Sequence, residues 1–409
     1  MIEAIVSRCA GLDVHKMVIV ATVLLEQADG QVLQETRSFS SFRQDREALC
    51  RWLQEGEVEL VVMESTGNSW KSIYAALESA RLKTYVVNAR LVKQVPGRKT
   101  DVTDSQWLAS LARCGLLNPS FIAPVDLQQL RLLGRYRMKL KGVAAGEKNR
   151  LHKVLDDAGI RLGGVVSDIQ GTSAQAMIAG LVAGQPVATL LKQARGRLKA
   201  KHEQLAQALD EPLSERHRWL LQEIQSHLHY LEEQIHHLDE QLLAGMEPYR
   251  PAWQLLQTIP GIDIVSAAQI IAEIGVDMDS FGSAERLASW AGMCPGNHES
   301  AGKRKRVATR PGNRALRQIL CEVANAACKT DSQFKGKYQA LVIRRGHKRS
   351  IVAIGHKLLR VVYTVLREQQ PYRDPAIDYE ALVVAKNAPR WLKALQKYGY
   401  LAETQRVAA

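Results

Sequence analysis

Four acidic residues near the amino end of the chain have the types and spacing that suit a divalent cation: Asp13, Glu64, Asp101 and Asp104. Asp101 and Asp104 are three residues apart and would share one face of a helix. Burying an unpaired Asp in an apolar strand costs several kcal/mol, so Asp13 calls for a counter-charge. Oxygen donors without a His or Cys set favour Mg²⁺, with Mn²⁺ as the alternative. Two such ions can polarise a phosphodiester and stabilise its attacking and leaving oxygens. The alternative is that each Asp is a helix cap or a surface residue, which is the commoner role of a single Asp.

A second group that could do chemistry is a lone hydroxyl near the carboxyl end of the chain. Ser300 lies among small residues and directly before a block of cations, Lys303, Arg304 and Arg306, with Arg314 following. Small neighbours let a phosphate approach closely, and the cations would stabilise negative charge on it. The alternative is a solvated basic loop.

The acids must be positioned by a region of alternating strands and helices between residue 8 and about residue 115. The apolar patterns predict strands at 9–14, 17–25, 32–39, 59–63 and 84–87, and helices at 43–54, 69–80 and 101–111. Three strands, a helix, a strand, a helix and a strand is the order of a ribonuclease-H-like core. Asp13 in the first strand and Glu64 at the end of the fourth could therefore converge on one cation.

Several basic residues are predicted to contact a nucleic-acid backbone. Four of them precede Asp101, namely Arg90, Lys93, Arg98 and Lys99. Three more, Arg131, Arg135 and Arg137, begin a basic helix predicted from residue 127 to about 156. Cations of one sign at this density repel one another unless phosphates neutralise them. For the first four residues, a merely solvated surface is the alternative.

The middle and the end of the chain are predicted to be helical, which gives the class α/β plus α. Apolar residues spaced alternately by three and four predict a coiled-coil helix: Leu221, Ile224, Leu228, Leu231, Ile235, Leu238 and Leu242. The helix that pairs with it would be a helix at 190–209 that folds back against it, or the same coiled-coil helix of another subunit. Residues 255–275, with a turn at Pro260-Gly261, predict a helix-hairpin-helix that offers amides to a phosphate, with a packing hairpin as the alternative. The expected domains are 1–125, 126–248 and 249–370, followed by a tail at 371–409.

Composition bounds the class of protein. The chain has 409 residues, 46% of them hydrophobic and 24% charged, and its formal net charge is +13. This balance indicates a globular protein with a polyanionic partner, nucleic acid first and a membrane surface second. No apolar run approaches the ~20 residues of a membrane-spanning helix, and no signal peptide is visible. Six scattered cysteines without a Cys-x-x-Cys pair indicate a reducing compartment, so a cytoplasmic, nucleoid-associated protein is expected.

The order and spacing of these motifs resemble those of insertion-sequence transposases of the IS110/IS1111 type, described as bridge-RNA-guided recombinases. The segments around Asp13, Glu64 and Asp101 are similar to the family's DEDD domain, which is related to the Holliday-junction resolvase RuvC. The segments Ile259-Pro-Gly-Ile, Cys294-Pro-Gly-Asn, Glu299-Ser-Ala-Gly-Lys and Pro311-Gly-Asn-Arg-Ala-Leu-Arg are similar to its serine-bearing Transposase_20 domain. The segment from about residue 159 to 211 is longer than the compact members need, and its role is not indicated by the sequence.

The resemblance implies that Asp13, Glu64, Asp101 and Asp104 bind Mg²⁺ and that Ser300 attacks a DNA phosphate. It also implies donor and target DNA and a noncoding guide RNA as partners, and a dimer that assembles to a tetramer. Sequence choice by base pairing would leave the protein to recognise shape and backbone, which suits a diffuse basic surface. Two alternatives are a metal-only junction resolvase, in which water attacks, and a structural nucleic-acid-binding protein.

Overall fold

The structure, a computed structural model, describes residues 5–65, 67–92, 103–295, 299–300, 302–304, 309 and 312–400. For residues 90, 91, 299, 300, 303 and 304 it describes the backbone alone. The chain divides into two units, Met1–Val125 and Asp126–Ala409. The further boundaries expected after residues 248 and 370 stay predictions.

A five-stranded mixed sheet organises the first unit, with strand order β3-β2-β1-β4-β5. The strands are β1 (Arg8–Val14), β2 (Val18–Glu26), β3 (Val32–Ser40), β4 (Leu60–Glu64) and β5 (Thr84–Val87). The first three pair antiparallel as a meander, whereas β4 pairs parallel with both β1 and β5. The predicted meander and the mixed α/β class are therefore confirmed for this unit.

Both faces of the sheet are covered by helices. These are α1 (Arg43–Glu55), α2 (Trp70–Ser79), α3 (Ala89–Val92) and α4 (Asp104–Arg113). Leu12 of β1 and Met63 of β4 are fully buried in one core cluster with Leu49 of α1. Cys9 of β1 is buried in a second cluster, with Leu108 of α4. Because successive strand residues face opposite ways, a strand covered on both sides reads as a continuous apolar run.

The described residues of the second unit are mostly helical. Its helices are α5 (Val125–Asp157), α6 (Leu162–Val165), α7 (Thr172–Val182), α8 (Val187–Leu191), α9 (His202–Leu209), α10 (Glu215–Ala244), α11 (Arg250–Gln257), α12 (Ile264–Ile274), α13 (Ala284–Trp290), α14 (Arg314–Ala327), α15 (Gln333–Arg345), α16 (His347–Glu368) and α17 (Tyr379–Lys397). Two short strands, β6 (Glu299–Ser300) and β7 (Lys303–Arg304), form a separate antiparallel pair. Over the ranges described, none of the helices is both long and apolar enough to cross a membrane.

The predicted coiled-coil stretch is one long helix, α10. The first four apolar positions of the predicted coiled coil, from Leu221 to Leu231, are buried within the same chain, in a cluster with residues of α5 and of α7 to α9. The predicted 190–209 helix is wrong, because α8 ends at Leu191 and α9 begins only at His202. Gly196, with φ of +54°, starts a 3-10 turn between them. Coiled-coil pairing of α10 stays a prediction.

The Pro260-Gly261 turn joins α11 to α12 and packs against α14. Gly261 has φ of +87°, and a Cβ there would lie 2.5 Å from the backbone nitrogen of Ala327. The amino end of α12 is capped by its own chain, since the Asp263 carboxylate accepts a 2.7 Å hydrogen bond from the Ser266 amide. Both observations favour the packing hairpin over the phosphate-binding one, and a helix-hairpin-helix role in DNA binding stays unconfirmed.

Candidate active site

Asp13 and Glu64 lie side by side at the carboxyl ends of β1 and β4. Leu12 faces Met63 in the parallel register, so the next residue on each strand comes at the same level of the sheet. Leu12 and Met63 point into the cluster under α1, so Asp13 and Glu64 point to the opposite face, which α4 covers. Glu64 is half-buried and the Asp13 side chain is 27% exposed. An oxygen of Asp13 contacts Nε2 of His15 at 3.1 Å.

Helix α4 brings a third acid, Asp104, to the same end of the sheet. Thr103 and Gln106 form a capping box that fixes the start of the helix, and Asp104 is its first residue. The predicted start at residue 101 is wrong, because Thr103 is the extended residue that caps the helix, and α4 therefore does not provide the expected face shared by Asp101 and Asp104. The Ser105 hydroxyl is hydrogen-bonded to that of Thr22 at 2.9 Å, in the buried interior. Thr22 faces Gly11 across β1 and β2, two residues before Asp13.

A glycine makes this placement of α4 feasible. A Cβ at Gly11 would lie 2.2 Å from the Ser105 carbonyl oxygen and 2.4 Å from the Ala109 nitrogen. The backbone of α4 therefore rests directly on β1. Further along, the Ile5 amide donates to the Arg113 carbonyl, so α4 runs antiparallel to β1 and its first residue lies toward Asp13 and Glu64.

The donors at this end of the sheet fit a hard cation better than zinc. Asp13, Glu64 and Asp104 supply carboxylate oxygens from three elements, with His15 as the neighbouring imidazole. Cys9, on the same face of β1, is not a ligand candidate because burial raises its pKa to about 12. In the part of the chain that the structure describes, no three such side chains are already close enough to hold a metal, and the fourth predicted ligand, Asp101, lies outside those residues.

Ser300 lies in a short β-hairpin in the second unit. Ser300 pairs with Lys303 across β6 and β7, and Gly302 between them has φ of +73°. An isolated bridge joins Pro295 to Thr309 nearer the base. We call the segment from residue 292 to residue 313 the serine hairpin.

Close backbone packing holds the base of the serine hairpin. A Cβ at Gly312 would lie 2.3 Å from the backbone nitrogen of Gly292, so its two ends touch. Thr309 accepts a hydrogen bond from Arg317 of α14.

Glu273, which the sequence reasoning did not single out, is buried at the base of the serine hairpin. Its side chain is 3% exposed, and its oxygens accept hydrogen bonds from Arg135 at 2.8 and 2.9 Å. Asn313 donates to the same carboxylate at 2.6 Å, and Arg131 lies 3.3 Å away. Burial lowers the pKa of Arg131, whereas the hydrogen bond to Glu273 raises the pKa of Arg135. An acid inside the apolar run Ile270–Ile274 was the available signal, because a buried carboxylate requires partners.

The arginines predicted at the start of the basic helix face protein carboxylates. Arg131 and Arg135 contact Glu273, and Arg137 contacts Asp239 of α10. These contacts use the guanidinium groups within the chain, which argues against phosphate binding by Arg131 and Arg137, whereas the Arg135 side chain is still 45% exposed. Other cations of α5 are exposed, among them Lys139, Lys141 and Lys153.

The remaining predicted nucleic-acid contacts are only partly described. Arg314 is exposed at the first position of α14. Arg90 lies in α3, and Lys303 and Arg304 form β7. The residues outside the described ranges are Lys93, Arg98, Lys99 and Arg306.

Comparisons with known proteins match both candidate regions. A family model described as a transposase, with the DEDD domain of IS110, matches residues 10–160. A second, described as the transposase IS116/IS110/IS902 family, matches residues 253–339. The first range contains the four acids, and the second contains Glu273, Ser300 and Asn313.

Individual relatives agree with the family matches. The transposase for insertion sequence element IS1111A of Coxiella burnetii is 25% identical over 329 residues, which cover 78% of this chain and 80% of the relative. The pilin gene-inverting protein of Moraxella bovis is 33% identical over 123 residues, which cover 29% of this chain and 38% of the relative.

Proposed function

The chain belongs to the IS110/IS1111 family of transposases and is a DNA transposase or recombinase, and from this premise we propose that it cuts and rejoins DNA through a covalent bond to Ser300. The observation that carries the proposal is the arrangement of Asp13, Glu64 and the first residue of α4 at one end of a five-stranded sheet. The relative from Moraxella bovis points the same way, because a gene-inverting protein must rejoin the strands that it cuts. We assign the first unit to the RuvC-like fold on the same grounds.

In the proposed reaction, the Ser300 hydroxyl gives up its proton and its Oγ forms a bond to a DNA phosphorus. The bond from that phosphorus to one strand's bridging oxygen breaks, and the released strand end takes a proton as a hydroxyl. Attack by the hydroxyl of another strand end reverses these steps and regenerates serine. Because one phosphodiester is exchanged for another, which now links Ser300 to the DNA, no bond energy is lost to hydrolysis before religation.

We propose that Asp13, Glu64, Asp101 and Asp104 hold Mg²⁺, with Mn²⁺ as a substitute. When bound, the ion would stabilise charge on the phosphate and its leaving oxygen. The carboxylates orient and bind. Thr103 and Ser105 keep the start of α4, and with it Asp104, against the sheet. The cations Lys303, Arg304 and Arg314 would bind the DNA backbone beside Ser300, together with the exposed lysines of α5.

We also propose that a noncoding RNA from the element directs the enzyme to donor and target DNA, and that dimers assemble to a tetramer. The net charge of +13 supports binding of large polyanionic partners, here RNA together with DNA. Delegating sequence choice to base pairing explains how a diffuse basic surface could serve a specific reaction.

The test uses a labelled plasmid that carries the gene with its flanking DNA, together with RNA transcribed from that flank. Wild-type protein should give a protein–DNA adduct that survives SDS, and Ser300→Ala should give none. Ser289→Ala, a serine of α13 outside the serine hairpin, is the matched control and should retain the adduct.

An adduct that persists in Ser300→Ala would show that another residue is the nucleophile. Cleavage to free ends without any adduct in the wild type would favour the metal-only nuclease, in which water attacks. Recombination that survives both Asp13→Ala and Glu64→Ala would exclude either enzyme mechanism.

A further inference from the structure

In the described part of the serine hairpin, Ser300 is carried by a very short pair of strands. The hairpin's described strand pairing consists of two residues on each side and one isolated bridge. A two-stranded hairpin is marginally stable at best in water. The position of the backbone at Ser300 must therefore depend on what anchors the base of the hairpin.

Asn313 is the last residue of the serine hairpin and has two hydrogen-bonding functions. Its Oδ1 accepts from the Leu316 amide at 3.1 Å and so caps α14. Its Nδ2 donates to Glu273 at 2.6 Å. The single side chain thus fixes the exit of the hairpin to two helices, α14 and α12.

Glu273 in turn is fixed by α5. Arg135 binds it through two hydrogen bonds, and Arg131 donates to the backbone carbonyls of Ala272 and Glu273 at 3.0 and 2.9 Å. Packing alone does not require a carboxylate here, because apolar residues of similar volume often replace buried ion pairs without loss of stability. What the carboxylate adds is direction, since its oxygens set the angles of the hydrogen bonds from Arg135 and Asn313.

We propose that Glu273 is a positioning residue that acts through Asn313 to hold the serine hairpin, and with it Ser300, in the orientation needed for attack. The inference rests on the proposed nucleophilic role of Ser300. It assigns α5 a second role beside nucleic-acid contact, because the helix that carries Lys139 and Lys141 also supplies both arginines of the anchor.

Asn313→Asp is the sharpest single change. Asp is as good a helix cap as Asn, so α14 should keep its start. The Nδ2 donor, however, becomes an oxygen facing the Glu273 carboxylate, and the hydrogen bond is replaced by repulsion. Removing Glu273 alone would leave two arginines without their partner and could unfold the unit.

The expected result for Asn313→Asp is a rate of adduct formation lowered by about 10- to 100-fold, the size of loss that a misplacement near 1 Å produces. The dissociation constant for the plasmid–RNA probe should change by less than about twofold, because Asn313 binds no phosphate in this proposal. Amide hydrogen exchange at Ser300 and Lys303 should become faster while that of α14 stays slow.

The reciprocal double variant Glu273→Gln with Asn313→Asp distinguishes positioning from general damage. The new amide on α12 would donate to the new carboxylate at the helix cap, and the cluster would keep one negative charge beside the two arginines. Arg135 keeps its hydrogen bond to the other oxygen and loses the one that its Nη2 makes to the oxygen shared with Asn313, so the rescue is partial. Adduct formation should recover by at least about threefold over Asn313→Asp alone, a coupling that independent lesions do not show. Asn325→Asp, at an exposed position of the same helix α14, is the matched control and should leave the rate unchanged.

The outcomes separate this inference from the proposed function. If Ser300→Ala abolishes the adduct but Asn313→Asp forms it at the wild-type rate, Glu273 is not a positioning residue. The inference is also wrong if the double variant is no better than Asn313→Asp alone. If the wild type itself forms no adduct, the proposed function has failed first.

Discussion

Gly11→Ala should move helix α4 away from the candidate metal site. The added Cβ would lie 2.2 Å from the Ser105 carbonyl oxygen, 2.4 Å from the Ala109 nitrogen and 2.9 Å from the Leu108 Cβ, whereas ordinary contact begins at 3.4 Å. Two of these atoms belong to the helix backbone, so no side-chain rotation relieves the overlap. The helix must retreat by about 1 Å, the scale at which placement affects rates.

Two measurable effects follow from that retreat. Overpacking of this kind costs about 1–3 kcal/mol, which should lower the melting temperature of the first unit by roughly 4–10 °C. The shift also carries Asp104 away from Asp13 and Glu64. Cleavage of the plasmid probe should therefore slow by about 100-fold at a temperature where the variant is still folded.

Differential scanning calorimetry gives the first effect, and initial rates of strand cleavage at saturating Mg²⁺ give the second. Gly56→Ala is the matched control, because Gly56 has φ of −76° and the nearest atom to its added Cβ lies at 3.5 Å. A Gly11→Ala protein that melts lower but cleaves at the wild-type rate would refute the reasoning. It would show that the position of α4 does not govern the chemistry.

Two further predictions concern carboxylates. Asp13→Asn removes one anionic oxygen from the site and should lower the rate of DNA cleavage by about 100-fold or more, with partial recovery at raised Mn²⁺. The control, Asp29→Asn in the exposed β2–β3 turn, should leave the rate unchanged. Asp263→Ala removes the cap of α12 and should lower the free energy of unfolding by about 1 kcal/mol at neutral pH. Burial alone would raise the pKa of Asp263, but hydrogen bonds from Ser266 outweigh burial and hold that pKa below its ordinary value. Because the folded pKa of Asp263 is depressed, its stabilisation is present above the unfolded pKa and is lost as the pH falls through the folded pKa. Chemical denaturation should therefore find a smaller difference in the free energy of unfolding between Asp263→Ala and the wild type at about pH 3 than at about pH 7.

The sheet could be predicted from the sequence because its strands are short apolar runs bounded by turn residues. The predicted ends of the strand at 32–39 and the strand at 84–87 agree with β3 and β5 to within one residue. The placement of α4 over Gly11 could not be predicted, because it depends on an approach between residues almost a hundred positions apart. Sequence spacing indicates that the acids could converge and that a helix follows Asp101, but not where that helix lies on the sheet.

The arginines of α5 show why a basic stretch does not by itself identify a nucleic-acid surface. Within the helix, cations outnumber acids near Arg131, which favours phosphate as the partner. The opposite charge is supplied instead by Glu273, 142 residues further along the chain, and for Arg137 by Asp239. Local charge density cannot reveal a partner at such a separation. An isolated acid in the apolar run of α12 was the one local sign, and it indicates only that some partner exists.

The surroundings of Asp13 and Glu273 suit the two different roles proposed for these carboxylates. Glu273 is almost completely enclosed, and its oxygens are directed at two guanidinium groups and an amide. Mg²⁺ keeps several of its waters and cannot enter such a place. Asp13 and Asp104 lie at the ends of a strand and a helix, where a hydrated ion can reach them. Damage at the two places should therefore respond differently to Mn²⁺: the ion can compensate for a weakened ligand in Asp13→Asn, but it cannot restore the angle of a hairpin in Asn313→Asp.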